Sequence, residues 1–145
     1  MFEKFKTLFE KEEKAKIIEI DAVQLAVSSL MISTALHDGE FDEVEKKEIM
    51  TLLGNYYSLE DQQLTELFDA ASILLSQAND IHQFTSKINS SLSDDEKLEI
   101  IEMLWKIVIA DGKIDDYENA LIRKISGLLY IDDFAVGEIK KKLTN

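Results

Sequence analysis

The stretch Asp111-Gly112-Lys113-Ile114-Asp115-Asp116-Tyr117-Glu118 decides the fold, because a near copy, Asp38-Gly39-Glu40-Phe41-Asp42-Glu43-Val44-Glu45, stands 73 positions earlier. At the same offset Leu25 matches Leu98, Val27 matches Ile100, Ile49 matches Ile122, Gly54 matches Gly127 and Tyr57 matches Tyr130. One deletion then changes the offset to 72, and Leu59, Leu64 and Leu67 match Ile131, Val136 and Ile139. A self-match of this length is the mark of an internal duplication. It predicts an all-α fold of two like helical units, residues about 21–67 and 93–143, facing each other about a pseudo-twofold axis.

Each unit reads as helix, Asp-Gly turn, helix, short turn, helix. Gly39 and Gly112 stand where a helix ends in a left-handed residue, a conformation glycine adopts without a Cβ clash. Asp42 and Asp115 then cap the next helix, and Glu45 and Glu118 follow three residues on, the spacing of a capping box. Asp38 and Asp111 are placed in the last turn of the preceding helix, where a carboxylate meets the negative end of the macrodipole at a cost of about 0.3–1 kcal/mol. Glu45 and Glu118 also share a stripe with Phe41 and Ile49 or Ile114 and Ile122, four residues away on either side, so they point partly inward.

The three acids that recur in both motifs, with Lys113 the only basic residue inside either, allow two readings. Asp38, Asp42, Glu45, Asp111, Asp115 and Glu118 form oxygen ligands for a hard divalent cation, Ca²⁺, Mg²⁺ or Mn²⁺, or they are caps and nothing more. The spacing is not that of the EF-hand loop, so a metal here needs water or the other repeat to complete its shell.

Composition supports a helical domain. The 145 residues contain no proline, five glycines and no cysteine, which favours long helices and excludes disulfides, thiolate catalysis and zinc–sulfur sites. The net charge of −13, from 29 acids against 16 bases, argues against nucleic acid, whose phosphates need a basic footprint. No apolar run approaches the roughly 18 residues of a spanning helix, and no signal-peptide pattern is present, so a cytoplasmic protein is expected. Two histidines, no phosphate-cradling glycine loop and no Ser-His-Asp arrangement leave little from which to build an enzyme.

Residues 1–17 form an amphipathic arm ahead of the domain of residues 18–145. Phe2, Phe5, Leu8 and Phe9 share one helical face, and five lysines against four glutamates leave this segment at +1 while the remainder carries −14. The arm is expected to pack on the domain or on a second copy; a membrane-surface helix is the sharper alternative, opposed by its glutamates. Within the domain, the stretch from near Asp21 to His37-Asp38-Gly39 reads as an almost wholly apolar central helix, Ser58 and Asp61 as the start of a third helix, and Ser93-Asp94-Asp95-Glu96 as a capping box. Trp105 reads as packing, and His37, His82 and Lys87 as surface residues.

The two acidic motifs, the linker phrase Asn79-Asp80-Ile81-His82-Gln83-Phe84 and the helix around Trp105 resemble the TerB-like family of tellurite-resistance proteins, over about residues 20–145. The resemblance implies an all-helical domain whose acids chelate a divalent metal, acting in bacterial stress or tellurite resistance. It also implies membrane-associated protein partners, and so a place at the inner-membrane periphery. A structural adaptor whose motif acids are only caps is the competing expectation.

Overall fold

The computed structural model describes residues 20–37, 40–41, 43–110, 112 and 114–144, with backbone alone at residues 37, 40 and 41. Seven helices follow one another: α1 (Ala22–Ala35), α2 (Glu43–Tyr57), α3 (Asp61–Gln77), α4 (His82–Ser91), α5 (Asp94–Ile109), α6 (Asp116–Leu128) and α7 (Asp133–Thr144). The expected arm of residues 1–17 lies outside the described residues.

The fold is all-α, and its centre is a pair of apolar helices. In α1, ten of the fourteen residues are buried, from Leu25 through Ile32 without a break, so the helix has no solvent face along its middle. It packs against α2, α3, α4 and α5. Its counterpart α5 buries Ile100, Ile101, Met103, Leu104, Trp105, Ile107 and Val108, and is clasped by α2, α6 and α7. Across the two halves the contacts are reciprocal, α1 meeting α6 and α5 meeting α2. Each of the two apolar helices, α1 and α5, thus packs on the two helices that follow its own acidic motif and on the helix that follows the motif of the other half.

Caps explain where most helices begin. Asp21 Oδ1 accepts from the amides of Val23 at 2.7 Å and Gln24 at 3.1 Å at the head of α1. Ser93 and Glu96 close the reciprocal box predicted for α5. Asp132 Oδ1 accepts from Ala135 N at 2.8 Å at the head of α7. The expected start of α3 at Ser58 is corrected: Glu60 is the cap, boxed with Gln63, and Ser58 adopts a left-handed φ of 54° that ends α2 instead. Tyr130, at the equivalent place after α6, has φ 61°.

The first acidic motif departs from expectation. Helix α1 stops at Ala35, and Leu36–His37 (β1) pairs antiparallel with Glu40–Phe41 (β2), Leu36 opposite Phe41 and His37 opposite Glu40. The helix thus ends three residues before Asp38, and Asp38 and Gly39 themselves lie outside the described residues. The macrodipole argument for Asp38 falls with that correction. In the second motif α5 runs to Ile109, Ala110 caps it in helical geometry, and Gly112, at φ 82°, donates its N–H to Ile109 O at 2.9 Å. Alanine prolongs a helix more readily than histidine, which accounts for part of the difference between Ala110 and His37.

Candidate metal centre

The six acids read as ligands are represented among the described residues by Glu45, Asp115 and Glu118; Asp38, Asp42 and Asp111 lie outside them. Asp115 stands at the head of α6 in extended geometry, and its Oδ1 accepts the amide of Glu118 at 2.7 Å, the capping bond predicted from spacing. It remains open to solvent.

Glu45 and Glu118 behave differently from Asp115. Each sits in the first turn of the helix that follows its Asp-Gly motif, and each is almost fully buried, Glu45 at 1% and Glu118 at 3% exposure. Apart from them, Lys97 is the only other charged side chain buried among the described residues. The reason is periodicity. Ile49 and Leu53 in α2, and Ile122 and Ile125 in α6, face the core, and the residue four places before each isoleucine is carried onto the same stripe. The helix N-terminus lowers the cost of a carboxylate there, but by less than full removal from water demands. Among the described residues no three of His, Cys, Asp and Glu converge as a metal cluster.

A second polar region lies where α1, the end of α2 and the start of α5 meet. Asp21, Val23, Gln24, Tyr56, Tyr57, Leu92 and Glu96 line a groove. Tyr56 lies at the surface, and its hydroxyl donates to Glu99 Oε2 at 2.9 Å. Burial, that hydrogen bond and the charges of Glu99 and Glu96 push the Tyr56 phenol up to about 12. Burial, followed by Tyr56, Asp21 and Glu96, pushes Tyr57 upward as well.

Both folded values exceed the unfolded value of 10.0, so this contribution to stability is complete below pH 10 and is lost as pH rises through the folded values. Thermal melts should therefore fall steeply above pH 10, together with a late rise in tyrosinate absorbance. A double variant, Tyr56→Phe with Tyr57→Phe, should flatten the alkaline fall; an unchanged pH profile would show that these phenols are not its source.

The family described as Tellurite resistance protein TerB matches residues 24–141, most of the chain. The chain belongs to the TerB family. No curated protein and no solved structure matches it. The matched region of this TerB domain runs from α1 into α7 and includes both acidic motifs. Among its described residues no helix is long and apolar enough to cross a membrane.

Proposed function

We propose that this TerB domain is a non-enzymatic module that holds or senses a hard divalent cation through its paired acidic motifs, within a tellurite-resistance or related stress response. The observation that supports this reading is the burial of Glu45 and Glu118. A capping carboxylate works at the surface, as Asp115 does, and gains nothing from leaving water. A carboxylate buried at the same place in both halves is better explained by a charge it serves. Carboxylate oxygens alone, with no thiol in the chain, favour Ca²⁺, Mg²⁺ or Mn²⁺ over softer metals. The ligand set would be Glu45 and Glu118 with Asp38, Asp42, Asp111 and Asp115, each motif forming its own site or both contributing to one.

The competing reading, an adaptor whose acids only cap helices, is supported by the Asp115 bond to Glu118 N. Either form of the domain would work through a protein partner, a membrane-associated one included, and its acidic surface suits a basic partner rather than nucleic acid.

Thermal melts with and without millimolar Ca²⁺, Mg²⁺ or Mn²⁺ separate the two readings. An ion that binds only the folded chain stabilises it by about 2.7 kcal/mol at a hundred times its Kd. Equal melting temperatures in chelator and in all three ions would return the acids to capping alone.

A further inference from the structure

The two halves differ in side chains where α6 hands over to α7. Tyr130, in its left-handed turn, is 81% exposed, and Phe134, the second residue of α7, is 77% exposed. At the same places the first half has Ser58 and Gln62, both polar and exposed. The face continues past Phe134 to Gly137, where an added Cβ would meet nothing, so the surface beside the ring is flat and open. Asp132, Asp133 and Glu138 rim it, and all three are exposed. Two large aromatic rings thus stand mostly in solvent beside three acids, with the Lys97 ammonium 5.9 Å from the centre of the Tyr130 ring.

We propose that the chain's own amino-terminal segment docks here, laying Phe2, Phe5, Leu8 and Phe9 against Tyr130, Phe134 and Gly137. Three observations select this occupant. The first is charge: the arm, at +1, is the part of the chain whose lysines oppose the acidic rim, whereas the remainder is −14. The second is pattern. The four apolar residues fall on one face at helical spacing and match an apolar strip flanked by acids.

The third is where the arm joins the domain. Ile20 and Asp21 lie at a pair of adjoining grooves, and Asp21 lines one of them with Leu92 and Glu96. Lys97, the next residue along α5, has its ammonium 5.9 Å from the Tyr130 ring centre. Ile20 and Asp21 therefore stand at the end of the molecule that carries the patch. The ten residues between Phe9 and Ile20 can span about 33 Å when extended, about three helix diameters. Tethering at this range gives the segment a high effective concentration over the patch. Anionic lipid and nucleic acid are opposed by the same acidic rim, and two copies joined patch to patch would set Asp132, Asp133 and Glu138 against themselves.

The chain has no cysteine, so Thr7→Cys gives a unique attachment point for a nitroxide in the full-length protein. Docking within the chain predicts selective broadening of the amide signals of Tyr130, Phe134 and Gly137. Phe134→Gln, and separately Tyr130→Ser with Phe134→Gln, should restore them while leaving the remaining spectrum folded. Sharp signals at all three residues would overturn the proposal. So would broadening centred on Ile73, the exposed apolar residue of α3, or broadening that passes between separately labelled chains and fades on dilution, which would assign the arm to a second copy. Broadening that requires anionic vesicles would assign it to lipid instead.

Discussion

Trp105→Ala should lower the free energy of unfolding by about 3–5 kcal/mol, the range for emptying a large aromatic site in a packed interior. Trp105 is 1% exposed and stands on the core face of α5, among Ile101, Leu104 and Val108. Lys140 of α7 lays its ammonium 5.1 Å from the indole centre while donating to Asn119 Oδ1 of α6 at 3.2 Å. Lys140 thus links the ring on α5 to α6. Its indole N–H makes no hydrogen bond, so the side chain contributes by volume and by the cation above it rather than by a polar contact. Trp105→Phe should accordingly lose much less than Trp105→Ala. Urea unfolding followed by circular dichroism checks both, and an alanine loss below about 1 kcal/mol would mean that the site collapses without leaving a cavity.

The place of Trp105 was legible because α5 is long and its apolar residues recur at helical spacing, and because Ser93 and Glu96 mark its start with an unambiguous box. The same holds for α1, whose unbroken apolar run permits nothing but burial. Legibility failed where two local rules competed for the same residues. Asp-Gly serves equally as the end of a helix and as the loop of a tight reversal, and the residues before it decide: Ile109 and Ala110 stay helical, while Leu36 and His37 leave the helix and pair with Glu40 and Phe41. Ser58 looked like a cap through its side chain, yet its backbone ends α2 and Glu60 starts α3.

Burial of the two motif glutamates could be read from sequence, since each stands four residues before an inward isoleucine. Lys97 could not be read that way. It follows an acidic first turn and looks like a solvated lysine, but its stem is covered and its ammonium lies 3.8 Å from Asp94 and above the Tyr130 ring. The partner that covers it comes from a turn more than thirty residues away, in a left-handed conformation that a tyrosine rarely adopts, and no local pattern announces it. The same turn made Tyr130 appear a simple repeat of Tyr57, although the backbone equivalent is Ser58 and the ring is held outside.

The glutamates also give the sharper test of the metal reading, because Gln replaces Glu with almost no change of shape. In the double variant Glu45→Gln with Glu118→Gln, any stabilisation by Ca²⁺, Mg²⁺ or Mn²⁺ should disappear, a loss of about 2.7 kcal/mol at an ion concentration a hundred times the wild-type Kd. An amide oxygen still ligates, but it lacks the charge that draws a hard cation out of water. In chelator the two proteins should differ far less than they do in the ion, since neutralising a carboxylate removed from water relieves desolvation while weakening whatever it contacts. Asp115→Asn makes the contrast. Asparagine caps a helix as well as aspartate, so this change should preserve ion-free stability and reduce the ion's effect only if Asp115 is a ligand. Differential scanning calorimetry across the four proteins in chelator and in ion reads all of these shifts. If the double glutamine variant kept the full ion-dependent gain, the cation would be bound elsewhere, and the burial of Glu45 and Glu118 would belong to the packing of α2 and α6 alone.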